Sequence, residues 1–272
     1  MIKLVTIDID DTLVNSAKEI TPRVKQAIQA ATAQGVKIVL TTGRPLTGVV
    51  GYLQELGLAD QADQYVITYN GGVVETTSGV ALGGAINTLA DYRDLRAVAD
   101  DLGAYLQTET LNGAFTTNQV VNKWASFENY IVQMDLSVVP VEAMSSAEQY
   151  VKFMFIGEAE EIQKWSTALP ADIYERFYVV KSTPHNLEFM HKDATKGNGL
   201  KVLADKLGIA IDETMALGDQ ANDLTMIEAA GLGVAMENAV PAVKAAAQAI
   251  TTSQNADGVG VAIEKYVLQP SV

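Results

Sequence analysis

Strand and helix alternate at both ends of this 272-residue chain, and the alternation stops in between. KLVTI reads as a short buried strand. Thr21-Pro22 then opens a helix, with threonine as N-cap and proline at the first helical position. RVKQAIQAATAQG carries helical spacing up to a glycine stop. VKIVLTTGR reads as a second strand, LTGVVGYLQELG as a second helix, and QYVITYNGG as a third strand ending in a turn. The C-terminal part repeats the order: KGNGLKVLADKLG helix, TMALGD strand, NDLTMIEAAG helix, LGVAM strand, AVPAVKAAAQ helix and a closing VGVAIEKYV helix. This order predicts an α/β fold with a doubly wound parallel sheet.

The middle departs from it. From about Gly83 to Met190, DYRDLRAVADDLG and EEIQKWSTALP carry helical spacing, while AYLQTET, GAFTTN, KFMFIGE, YVVKST and HNLEFM read as strands. Runs of strands broken by only two or three helices predict an α+β unit with an antiparallel sheet. The chain therefore reads as a Rossmann-like core from residues 1–82 and 191–272, with an α+β domain, residues 83–190, inserted into it. TSGVALGG and the segment around His191 are the expected linkers. Hydrophobic residues make up 48 % of the sequence, enough to fill both interiors.

Charge narrows the partners. Lys and Arg total 19 against 33 Asp and Glu, a formal charge of −14. A nucleic-acid surface needs a basic face, and so does docking on anionic lipid, so neither is expected. No run approaches the ~18 unbroken apolar residues of a membrane span. The first apolar run is too short for a signal peptide, and acids follow it at once. Without cysteine there is no disulfide, thiol nucleophile or cysteine–zinc cluster. A soluble cytoplasmic protein, monomer or homodimer, is the expectation.

The first strand ends in VTIDIDDTLVN, with Asp8, Asp10 and Asp11 inside four positions. Two unit charges about 4 Å apart repel by roughly 4 kcal/mol at an effective dielectric of about 20. Such crowding calls for a cation or a proton. In a parallel α/β sheet, ligands bind beyond the carboxyl ends of the strands. There the sequence places Asp8, Asp10 and Thr12; Thr41, Thr42, Gly43 and Arg44; Asn70, Gly71 and Gly72; and Gly218, Asp219, Asn222 and Asp223. Lys196-Gly197 stands just before a late helix. Acids, hydroxyls, one lysine and tight-turn glycines converge on one rim.

Taken in order, DIDDT (Asp8 to Thr12), the Thr42 of TTGR, Lys196 in TKG and GDQAND (Gly218 to Asp223) resemble the four motifs of haloacid dehalogenase-like hydrolases. LTTGRP, ITYNGG, GDQANDLTMIEAAGLGVAMENA and DGVGVAIEKYV are similar to the Cof-type branch and its sugar phosphatases. The resemblance covers the whole core and both ends of the chain.

It implies a Mg²⁺-dependent phosphatase of small phosphorylated metabolites, sugar phosphates first, whose inserted domain is a mobile cap that selects substrate. In that pattern Asp8 attacks phosphorus and forms an aspartyl-phosphate, while Asp10 protonates the leaving alcohol and then activates water. Acid work near neutrality needs the Asp10 pKa raised, and neighbouring negative charge is the expected cause. Mg²⁺ falls to Asp8, the backbone carbonyl of Asp10 and Asp219, with Asp223 orienting that shell. Thr42, Gly43, Arg44, Lys196 and Asn222 meet the phosphate or the substrate. The branch usually has glycine after the second aspartate. Here Asp11 stands instead, and it is expected to point to solvent.

Other features are set aside. GLGVA and GVGVA lack the third glycine of a dinucleotide fingerprint, and ATKGNG lacks P-loop spacing. His185 and His191 are the only histidines and suggest no Ser-His-Asp set. Trp124, Trp165, Phe153 and Phe155 are expected to pack the inserted domain. Two rivals stand beside the phosphatase: a phosphomutase or phosphotransferase on the same scaffold, and a non-enzymatic sugar-phosphate sensor.

Overall fold

The computed structural model describes residues 1–268. It divides into two compact units: Met1–Gly84 together with the chain from Thr195 onward, and Ala85–Ala194. The first unit opens with β1 (Leu4–Ile7), α1 (Pro22–Ala33), β2 (Lys37–Thr41), α2 (Val50–Leu56), β3 (Tyr65–Thr68), β4 (Val73–Thr76) and β5 (Ala81–Gly84). The second contains α3 (Leu89–Leu102), β6 (Leu106–Thr110), β7 (Gly113–Thr116), α4 (Lys123–Val132), β8 (Leu136–Val138), β9 (Tyr150–Ile156), α5 (Ala159–Ala168), α6 (Ala171–Arg176), β10 (Phe177–Thr183) and β11 (Asn186–His191). The first then resumes with α7 (Lys196–Leu207), β12 (Thr214–Gly218), α8 (Leu224–Ala229), β13 (Leu232–Ala235), α9 (Pro241–Ala246), β14 (Ala249–Ile250) and α10 (Gly258–Ile263).

The first unit is an α/β fold on an eight-stranded sheet in the order β14-β13-β12-β1-β2-β3-β4-β5. From β14 to β3 all pairs are parallel; β4 and β5 add an antiparallel margin. β1 lies between β12 and β2, and all four of its residues are buried. That is why KLVTI is continuously apolar: helices cover both faces of a parallel sheet. Thr21 caps α1, its Oγ1 accepting from Val24 N at 3.4 Å, and Pro22 takes the first helical position. No helix among the described residues is long and apolar enough to cross a membrane.

The expected TSGVALGG linker is in part sheet. Val73–Thr76 and Ala81–Gly84 form a hairpin closed by Thr76 N donating to Val80 O at 2.9 Å. Small, exposed residues hid β5, because its stability comes from backbone pairing and not from side chains.

In the second unit the sheet order is β10-β11-β9-β6-β7-β8, antiparallel except for β7 with β8. Phe153, Phe155, Phe189, Trp165 and Tyr92 fill one interior, while Trp124 is partly buried against a smaller one. His185 stacks on Trp124, its Nδ1 3.0 Å from Gly157 O. The whole of β9 is buried, so KFMFI shows no alternation.

Lys152, also on β9, is buried opposite Glu109 on β6. Its Nζ lies 3.4 Å from Glu109 Oε1 and 3.2 Å from Glu188 Oε1. Burial outweighs the pull of Lys152 and pushes the Glu109 carboxyl up to about 7. An acid raised on folding binds its proton more tightly in the folded chain, so stability falls as pH rises from the unfolded value, about 4.5, to about 7. Glu109→Gln removes that penalty. The expected result is a melting temperature about 2–4 °C above the parent at pH 8 and equal to it at pH 4. A parent that melts higher at pH 8 contradicts the assignment.

Candidate active site

β1 delivers Asp8 to the carboxyl rim in an extended conformation, φ −66° and ψ 158°. Asp8 N donates to Leu217 O of β12 at 3.0 Å, so the neighbouring strand fixes its height. The chain then turns tightly, with Leu13 N returning to Asp8 O at 3.1 Å. Asp11 occupies this turn at φ 58°, the left-handed region glycine enters most easily. Its carbonyl accepts from Asn238 Nδ2 at 2.8 Å. Thr12, buried in the same turn, donates to Asp219 Oδ1 at 2.8 Å and ties the first motif to the last.

β12 carries Asp219 to the same rim, and the following turn brings Asp223 back over it. Asp223 Oδ2 accepts from Asp219 N and from Gln220 N, each at 2.8 Å. This return is possible because residue 218 is glycine: a Cβ there would lie 2.5 Å from Asp223 Cβ. Lys196 enters from the start of α7, fully buried, with Thr195 capping the helix behind it. Its Nζ lies 2.5 Å from Asp8 Oδ1 and 2.5 Å from Asp223 Oδ1.

Of three clustered carboxylates, two thus face the one ammonium, and Asp219 is held by Thr12. Burial pushes Asp8 up to about 7; Asp223 and Asp219 add repulsion, and Lys196 pulls the other way. Burial likewise pushes Asp219 up to about 6, against the hydrogen bond from Thr12. Lys196 is held above the ordinary lysine range because Asp8 and Asp223 outweigh its burial.

Oxygen atoms of Asp8, Asp219 and Asp223 lie within 4.8 Å of one another. An all-oxygen set with surplus negative charge suits a hard divalent cation. The residues fit Mg²⁺ chemically, and a dication would stabilise the charged forms of Asp8 and Asp219, which burial and mutual repulsion disfavour. The Asp10 carboxylate is outside this cluster.

Asp10 instead points to two cations. Arg44 Nη2 lies 2.9 and 2.7 Å from its two carboxylate oxygens, and Lys18 Nζ lies 3.0 Å from Oδ1. Burial alone would raise its pKa. Arg44 and Lys18 outweigh burial and hold the carboxyl below the usual range, the reverse of the expected upward shift. Sequence reasoning weighed only the neighbouring acids and missed Lys18, ten residues along the chain from Asp8. Lys18 sits at φ 62° in a turn closed by Asn15, whose Oδ1 accepts from Ala17 N and Glu19 N.

Thr42 is buried just past β2, its Oγ1 accepting from Arg44 N at 3.2 Å. Gly43 follows, and Asn222 reaches across from the last motif to Asn70, Nδ2 to Oδ1 at 3.2 Å. All the rim residues named from sequence belong to the first unit. Thr12 is among those named residues, whereas the only signal for Gln220 was its place inside a motif; its Nε2 reaches Asp219 Oδ2 at 3.0 Å.

Comparison with known proteins agrees with this geometry. A family model described as haloacid dehalogenase-like hydrolase matches residues 5–263. "Putative phosphatase YxeH" of Bacillus subtilis (strain 168) is 40 % identical over 277 residues, covering 98 % of this chain and 99 % of that one. The 5-amino-6-(5-phospho-D-ribitylamino)uracil phosphatase YcsE of the same organism is 28 % identical, covering 98 % and 96 %. Among solved structures, a haloacid dehalogenase-like hydrolase from Bacteroides thetaiotaomicron superposes with a TM-score of 0.83 at 29 % identity, over 97 % of this chain and 99 % of that one. The chain belongs to the haloacid dehalogenase-like hydrolases.

Proposed function

We propose that this phosphoric monoester hydrolase acts on small phosphorylated metabolites, sugar phosphates foremost, with Mg²⁺ and through an aspartyl-phosphate on Asp8. One observation carries the reading: a buried carboxylate pinned by Lys196 stands among Asp219 and Asp223, on the same rim as Thr42. A similar chain named for a phosphoribityl substrate supports a polyol or sugar on the phosphate.

Lys196 holds Asp8 Oδ1 and leaves Oδ2 to attack phosphorus. The bond from phosphorus to the leaving oxygen breaks, and that oxygen takes a proton from Asp10. In the second step Asp10 takes a proton from water as the water oxygen attacks phosphorus, and Asp8 is released as carboxylate. Arg44 and Lys18 favour the ionised Asp10 that the second step needs. The proton that Asp10 takes from water in that step is the one it gives to the leaving oxygen of the next ester, for which Arg44 turns from Asp10 to the substrate. Asp8, Asp219 and Asp223 would hold Mg²⁺, which supplies charge neutralisation for the phosphoryl group. Thr42 and the Gly43–Arg44 backbone receive phosphoryl oxygens. These core groups recognise only phosphate, so choice of the leaving group is assigned to the inserted unit.

The test is inorganic phosphate release from a panel of sugar phosphates, nucleotides and acyl phosphates, with Mg²⁺ and with EDTA. The expected result is release that EDTA abolishes, with sugar phosphates ranked first. Phosphoryl transfer to a second sugar without free phosphate would replace the reading by a phosphotransferase. Binding without turnover of any ester would replace it by a sensor.

A further inference from the structure

The turn after β3 is built in a costly conformation. Tyr69 and Asn70 both lie in the left-handed region, φ 51° and 55°, ahead of Gly71 at 95°. Residues other than glycine are seldom held there, and such strain gathers where a structure needs one group in one place. Backbone bonds fix the turn to the Thr42 loop: Asn70 N donates to Thr42 O at 2.8 Å, and Tyr69 N to Arg44 O at 3.2 Å. A Cβ on Gly71 would lie 2.0 Å from Thr195 O, so the turn also packs on the start of the Lys196 helix.

Asn70 itself is 7 % exposed. Its Oδ1 accepts from Asn222. A Cβ on Gly43 would lie 3.0 Å from its Nδ2, so the carboxamide faces Gly43 closely. One side chain therefore stands between the second and fourth motifs, on a turn pinned to the third.

We propose that Asn70 is a positioning residue for phosphoryl transfer, holding the Asn222 amide and the Gly43 backbone at the spacing a phosphoryl group requires. The inference rests on the phosphatase reading. Asn70 acts through Asn222: without the Oδ1 acceptor, the Asn222 amide is free to rotate away from the phosphate. A side chain of this kind affects the transition state more than substrate binding, because the transferring group tolerates little displacement.

Asn70→Gly keeps the left-handed backbone available and deletes the carboxamide. On the best sugar phosphate, kcat/KM is expected to fall about tenfold, chiefly through kcat. The inhibition constant of orthovanadate, which mimics five-coordinate phosphorus, rises by the same factor of about ten. The melting temperature stays within about 3 °C of the parent. In an Asn222→Ala background the same substitution costs less than about threefold, because the partner is already gone. Unchanged kcat/KM and vanadate inhibition in Asn70→Gly overturn the inference, and so do full tenfold losses in both backgrounds. If the glycine variant fails to fold, Asn70→Ser carries the same comparison, since its hydroxyl is too short to reach Asn222. A parent inactive on every ester defeats the phosphatase reading, whereas an active parent with an indifferent Asn70→Gly defeats only this assignment.

Discussion

Asp8→Asn abolishes turnover, by at least about 10⁴-fold, and leaves the fold standing. The carboxamide is a poor nucleophile toward phosphorus, and no other carboxylate can replace it. Asp219 is engaged by Thr12 and Gln220, and Asp223 by Lys196 and two backbone amides. The fold survives because position 8 is fixed by its backbone bond to Leu217 O, and an asparagine oxygen still accepts from Lys196. Burial pushes Asp8 to about 7, so its charged form is disfavoured and a neutral isostere is no burden. The measurement is phosphate release together with thermal unfolding. Activity within tenfold of the parent in a folded variant would remove Asp8 from the nucleophile's role.

Lys196→Met is expected to do the larger damage to stability. It leaves Asp8, Asp219 and Asp223 buried together with no cation among them, and breaking a buried ion pair from one side costs about 3–5 kcal/mol. For a chain of this size that lowers the melting temperature by about 6–20 °C. Activity is lost as well, because Lys196 orients Asp8. A second substitution separates charge from packing: adding Asp8→Asn to Lys196→Met removes one uncompensated carboxylate and should restore part of the lost stability. A double variant less stable than Lys196→Met alone would show that the lysine stem, not its charge, supports this site.

How much of this was legible depended on how far each signal reaches along the chain. β1, β2, β3, β12 and β13 are apolar runs closed by turn residues, and they announce themselves locally. The four motifs are equally local. α4 was not read, since Phe127, Tyr130 and Ile131 are exposed on it and blur the apolar stripe that marks a helix. β8 has three residues and α6 has six, too short for periodicity. The Asp10 shift was misjudged because its determinants are Arg44, 34 positions away, and a lysine in a left-handed turn that only the folded backbone brings round.

The place of β1 between β2 and β12 has a consequence for biosynthesis. Asp8 leaves the ribosome well before Lys196, which follows 188 residues later, and Asp219 and Asp223 later still. During translation the intervening segment has a complete hydrophobic interior before the first strand has its second neighbour. Closing so long a loop makes the final zippering of β1 onto β12 an intrinsically slow, late event. A nascent or prematurely terminated chain therefore carries the nucleophile without the machinery to use it. Such a fragment presents one open flank of a nearly all-apolar strand, which makes interrupted synthesis a problem of aggregation and chaperone capture before it is one of lost catalysis.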